Sequence, residues 1–164
     1  MIGPLIAAGL TVTMTVSPPA PRADQQPPTG CKDKTALMLW DVGFKGNKNR
    51  IAWAITYRES NHQNLDESSP WYTGALGMWQ IQTSAHSGKG WWSRSAMLDP
   101  ERQSRIVYRY MTNKGRYWAP WGLNRDGTGV DASQYGGWSD WQIANWIWAP
   151  YQQGLALYPN RCAK

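Results

Sequence analysis

Apolar residues recur at helical spacing along several stretches of the chain, which predicts a mainly α domain. The firmest stretch runs from Asn49 to Asn61. Ile51, Ile55 and Glu59 fall at i, i+4 and i+8, so on a helix they share one stripe, and Ala52 and Ala54 fill the same inner side. A carboxylate ends that stripe. Upstream, Lys34 to Trp40 predicts a shorter helix with Leu37 and Trp40 on one side. Gly43-Phe-Lys-Gly46 breaks it, and Asn47 or Asn49 is placed to cap the next helix. Polar, turn-forming residues from Asn61 to Trp71 predict a loop. Gly74, Gly77, Gly88 and Gly90 then punctuate a region of turns with a short strand around Met78 to Gln82.

The second half repeats the helical pattern. Asp99 serves as cap, Pro100 takes the first helical position and Glu101 complements the dipole. Ile106, Val107, Tyr110 and Met111 form the expected inner face, Glu101, Arg105 and Arg109 an outer ladder, and Gly115 the end. Gly122 to Gly137 predicts a long loop. Ser139-Asp-Trp-Gln142 has capping-box spacing and opens a helix with Trp141, Ala144 and Trp148 inward. Pro150 ends that helix and begins a last one through Leu157. The expected architecture is mainly α, with one loop-rich or short β region between the Glu59 and Asp99 helices.

The first thirty residues read differently. Ile2 to Val16 is weakly apolar, too short for an ordinary transmembrane helix and within the range of a signal-peptide core. Ser17 to Gly30 is a Pro-rich linker. Cleavage near Ala20 or Ala23 is one expectation; an uncleaved export anchor is the other. Both divide the chain into an export segment over 1–30 and a folded domain over 31–164, placed outside the cytoplasm. Cys31 and Cys162, the two cysteines, bracket that domain. In an oxidising compartment a bridge between them would tie its ends together.

Composition adds a partner class. The balance of 17 basic against 11 acidic residues gives a formal charge of +6, which favours an anionic partner. The charges are dispersed, so they attract such a partner without identifying it. Twelve Trp against one Phe suit both a core and a sugar-binding cleft. Two His and two distant Cys form no zinc-ligand cluster, and no metal or cofactor is expected.

Glu59 is the chemical candidate. Apolar neighbours and the negative pole of a helix C-terminus both favour a protonated carboxyl, as a general acid requires. On this stretch alone, a frayed helix end with Glu59 paired to Arg58 or His62 is the better reading, and the rest of the chain decides between the two.

Further motifs carry a resemblance. Val42-Gly-Phe-Lys-Gly46, the Ile55 to Ser60 segment with its Glu-Ser pair, and nearby Asn64 come first. Gly77-Met-Trp-Gln-Ile81 with His86, Leu98-Asp-Pro100, and Trp118-Ala-Pro-Trp121 come next in order. Together they span roughly Leu37 to Leu123, about half of the chain. In these motifs the chain resembles the lytic transglycosylases and lysozyme-like domains of the goose-lysozyme superfamily, in particular the small actinobacterial and phage version. That resemblance implies a two-lobed lysozyme-like fold and cleavage of the β-1,4 bond between N-acetylmuramic acid and N-acetylglucosamine in peptidoglycan. Glu59 would protonate the glycosidic oxygen and then act as base on the C6 hydroxyl, closing a 1,6-anhydro ring. The substrate's acetamido group would support the cationic centre, so no second carboxylate is required. Ser60 would contact substrate or steady the acid, with a plain helix C-cap as the alternative, and Gln80 would contact substrate or bond to loop backbone. Trp79 with Trp118 or Trp121 would floor sugar subsites, unless the Pro-bracketed pair packs the two lobes together. His86 is expected to hydrogen-bond within its loop. Two departures stand out. Arg58 occupies a position where the family commonly has Ala, and the late Tyr motif that serves the acid has no clean match, with Tyr135 and Tyr110 as candidates.

Three alternatives remain open at this point. A muramidase would hydrolyse the same bond, with Asp66, Glu67, Asp126 or Asp131 activating water. A wall-binding or virion-structural domain would use the Trp surface without catalysis. Single-stranded nucleic acid would suit interleaved aromatics and cations, but dispersed charge and an export segment argue against it. The expected partner is therefore the peptidoglycan glycan strand, bound by a monomer, with neither nucleic acid nor membrane insertion.

Overall fold

A computed structural model describes residues 30–162, the Asn160 side chain excepted. The export segment and nearly all of the linker lie outside the described residues. The first helix, α1, is Lys34–Val42, capped by Asp33, which accepts from the Ala36 amide at 3.0 Å. Its buried face is Ala36, Leu39, Trp40 and Val42; Leu37, expected inward, is only half-buried. Gly43 and Phe44 turn the chain into α2, Asn47–Ser60. Neither Asn47 nor Asn49 caps it: Gly46 holds the N-cap position with a positive φ of 56°. Asn49 is instead fully buried. Its amide donates to the Ala36 and Phe44 carbonyls at 2.9 and 3.1 Å, and its oxygen accepts from the Tyr158 hydroxyl at 2.7 Å.

Ile51 to Thr56 are all buried, so α2 runs through the centre of the core. After α2, a two-residue strand β1, Ala75–Leu76, pairs antiparallel with β2, Ile81–Gln82. The strand expected over Met78 to Gln82 is thus shorter, because Gly77 and Gln80 take positive φ and turn the chain between the strands. Short helices α3, Thr83–His86, and α4, Arg94–Met97, lead to α5, Pro100–Ile106, with Asp99 and Pro100 capping as expected. The sequence reading of a mainly helical domain with a small β region holds.

Two helices widen into π-helical turns, and each turn carries outward a residue expected inward. The α5 helix passes into a π-turn over Val107–Met111 and stops there, before three successive positive-φ residues, Asn113, Lys114 and Gly115. An extra residue in one turn rotates the next side chains about the axis, so Tyr110 points out to solvent at 54 % exposure instead of joining the core. The last helical region opens as α6, Asp140–Gln142, with the Ser139 capping box formed. It widens over Ile143–Trp148 and continues as α7, Ala149–Cys162. Pro150 does not end the run, since the widened turn carries the chain past its missing amide. Of the expected inner face, Trp141 ahead of the widened turn and Ala144 within it are exposed, and only Trp148 packs on the core.

The α7 helix lies directly on α2. A Cβ on Gly154 would meet the Ala54 Cα at 2.9 Å, so two small residues let the backbones touch. Arg50 donates twice to the Leu155 carbonyl, at 3.2 and 3.1 Å. Cys31 and Cys162 are joined in a disulfide that closes a loop of 131 positions. Such a bond fits an oxidising compartment. Among the described residues, no helix is long and apolar enough to cross a membrane.

His62 stands just past α2, its Nδ1 3.0 Å from the Thr56 hydroxyl and its ring against Trp53 at 4.4 Å between centroids. Burial lowers its pKa from 6.5 to about 4, with Asp33 opposing and Arg161 assisting. The unfolded chain therefore binds the extra proton first as pH falls. Stability from this group is complete above about pH 6.5 and is lost progressively down to about pH 4, by roughly 2 kcal/mol after discounting for solvent. Urea unfolding across that window should show the loss in the wild type and a flatter profile in His62→Asn. Identical profiles would contradict the assignment.

Candidate active site

The last turn of α2 carries Arg58, Glu59 and Ser60 side by side. The apolar setting expected of Glu59 is not what the fold provides. The Arg58 side chain, 6 % exposed, folds back onto the carboxylate, itself 23 % exposed. Its Nε donates to Glu59 Oε1 at 2.9 Å, and its Nη2 contacts the same oxygen. That Nη2 also donates to the Trp121 carbonyl at 3.0 Å. Glu59 Oε2 accepts no hydrogen bond among the described residues, so one carboxylate oxygen is clamped and the other is open.

Ser60 is buried, and its hydroxyl donates to the Met78 carbonyl at 2.8 Å, with the Thr56 carbonyl also in reach at 3.2 Å. It fastens the end of α2 to the β1–β2 turn and is not displayed to a ligand. Gln103 braces the same turn from α5, donating to the Leu76 carbonyl at 2.8 Å and accepting from the Trp79 amide at 3.1 Å. Trp79 has no exposed surface, and its indole donates to Ser104 at 2.8 Å. Trp118 is 1 % exposed and stacks on Phe44. Neither ring has a free face, so the sugar-floor role expected of them does not fit the fold. Trp121 is 6 % exposed and ties the parts together, its indole donating to the Trp79 carbonyl at 3.2 Å.

A cleft of about 680 Å³ opens on this framework, within the usual size range for ligand sites. Gln80, His86, Trp91, Tyr110, Tyr117 and Trp121 are among its lining residues. Gln80 enters it from a positive-φ position (50°) with its amide donating to the Gly77 carbonyl at 2.7 Å. Glu59 is not itself in the lining; it connects through Arg58 to Trp121, which is. Trp91 and Tyr110 stack at 6.0 Å and 14° and, with Tyr117, supply the aromatic surface assigned by sequence to Trp79 and Trp118. A signal for Trp91 was present: it directly follows the Gly88–Gly90 turn, with no apolar periodicity to draw it into a helix face.

Tyr135, one of the two tyrosine candidates, reaches the acid's surroundings; its hydroxyl donates to the Trp121 carbonyl at 3.4 Å. Burial raises its pKa, Arg58 draws it down, and Glu59 and Asp131 add to the rise. Gly122 makes the room: with φ of 67°, a Cβ there would sit 1.5 Å from the Tyr135 hydroxyl oxygen. Gly122→Ala should therefore lower stability by about 1–3 kcal/mol, through strain and displacement of Tyr135. Tyr135→Phe, losing one long hydrogen bond, should cost less than about 1 kcal/mol. Thermal unfolding of both variants checks this, and an unchanged midpoint for Gly122→Ala would contradict it.

The loop carboxylates proposed as water activators serve their own turns. Asp66, Asp126 and Asp131 accept from Ser68, Thr128 and Ser133, and these hydrogen bonds lower their pKa values. Glu67 pairs with Arg94 at 2.6 Å. Among the described residues no group of three or more His, Cys, Asp or Glu could hold a metal ion. Compared with known proteins, the chain matches no family model, no curated protein and no solved structure.

Proposed function

We propose that this chain is a peptidoglycan-cleaving enzyme acting on the β-1,4 bond between N-acetylmuramic acid and N-acetylglucosamine. The observation that carries the reading is the half-clamped Glu59 at the end of α2, linked through Arg58 and Trp121 to an aromatic cleft. Arg58 fixes Oε1, which leaves Oε2 to hold and deliver the proton to the glycosidic oxygen. The acetamido carbonyl of the muramic residue then attacks C1 as the leaving sugar departs. Glu59, now a carboxylate, takes the C6 hydroxyl proton while that oxygen attacks C1, breaks the bond from C1 to the acetamido oxygen and closes the 1,6-anhydro ring. This is the lytic transglycosylase reaction; the muramidase variant replaces the C6 hydroxyl with water. Gln80, with an amide that both donates and accepts, suits sugar hydroxyls and acetamides. The goose-lysozyme-like motifs and the disulfide agree with a secreted enzyme working as a monomer at the cell wall, as in a phage endolysin.

A second reading rests on a separate observation. Trp138, Trp141 and Trp146 are 42 %, 63 % and 52 % exposed and touch one another, which suits adhesion to the wall without cleavage. Incubation with purified walls separates the two. Soluble muropeptides support the enzyme; sedimentation of the protein with walls and no soluble product rejects it in favour of adhesion.

A further inference from the structure

On the far side of the Trp91–Tyr110 pair lies a second cavity of about 710 Å³. Arg102, Arg105, Arg109 and Lys114 line it, and none of its lining residues is acidic. The three arginines fall at i, i+3 and i+7 of one helical run, so their charges repel along a single face. Glu101 neutralises one of them, Arg105, at 2.6 Å. Arg102 and Arg109 have no carboxylate partner among the described residues.

Other lining groups point the same way. Trp92 borders the cavity, and its buried indole N–H has no acceptor among the described residues. Arg109 is exposed beside Tyr110 on the π-turn over Val107–Met111. The site therefore offers several donors and positive charges, flat aromatic walls and no lining carboxylate. Guanidinium groups in that arrangement match phosphate oxygens better than a lone carboxylate.

We infer that this cavity binds the phosphodiester groups of an anionic cell-wall polymer, holding the enzyme beside the strand that its neighbouring cleft receives. The shared Trp91–Tyr110 wall makes the two cavities adjacent. The choice of polymer rests on the peptidoglycan reading above, whereas the phosphate chemistry rests on the cavity itself.

Isothermal calorimetry with a glycerol-phosphate oligomer, an uncharged N-acetylglucosamine oligomer and a single-stranded oligonucleotide tests it, using wild type and R102Q/R109Q. The wild type should bind the glycerol-phosphate oligomer with an affinity that falls as salt rises. The double variant should bind it at least about tenfold more weakly while keeping the wild-type circular dichroism spectrum. No binding by the wild type, or equal binding by the variant, overturns the inference. An oligonucleotide that binds as tightly as the glycerol phosphate overturns it in favour of nucleic acid. Cleavage of phosphate-stripped walls by the wild type is measured alongside. Its absence would sink the reaction and leave the phosphate site to stand or fall on the calorimetry.

Discussion

Glu59→Gln is expected to fold as the wild type does and to cleave peptidoglycan about 10²–10⁴-fold more slowly, the range that general-acid catalysis supplies. Glutamine has the same shape and keeps an oxygen for the Arg58 guanidinium, so the clamp on Trp121 persists. What it lacks is a transferable proton. The pair it alters is part-exposed, so the stability change should stay within about 1 kcal/mol. Wall solubilisation rates and circular dichroism, measured on the same preparation, separate lost chemistry from lost fold. Undiminished solubilisation would remove Glu59 from the acid's role.

The second large effect concerns stability. Cys31→Ser with Cys162→Ser releases a loop of 131 positions. Loop-closure entropy alone is worth about 4–5 kcal/mol for so long a loop, with residual structure in the unfolded chain reducing it. The bond also holds the end of α7, the helix whose Gly154 rests on Ala54 of α2. The melting point should fall by on the order of 10 °C. Activity at room temperature should largely survive, since the Glu59 surroundings are held by their own hydrogen bonds. A melting point unmoved by the double substitution or by reductant would show that the bridge does not constrain the chain.

Local signals were readable from sequence where local physics decides the outcome. The Ile51–Ile55 stripe, the Asp99–Pro100 start and the Ser139 capping box all form as their residues dictate. Faces from a π-turn onward were not readable, because one extra residue per turn rotates every later side chain. Tyr110 and Ala144 lie inside such turns and face outward, whereas Trp141 precedes its π-turn and is exposed without that cause.

The tryptophans failed differently. A ring that suits a sugar suits a core equally, and only the assembled fold shows that Trp79, although it borders the cleft, and Trp118 are enclosed while Trp91 keeps exposed surface there. Gln103 and Ser104 did carry a signal, as polar residues beside Val107 on a helix that packs inward. They brace the β1–β2 turn and Trp79. The C-terminal quarter, outside the motif resemblance, supplies α7 and hence one wall of the core.

Mass spectrometry of the soluble fragments from purified peptidoglycan, wild type beside Glu59→Gln, tests the central claim most directly. Fragments ending in 1,6-anhydro-N-acetylmuramic acid from the wild type, and almost none from the variant, are the expected result. No fragments from the wild type, or equal amounts from both proteins, would contradict it.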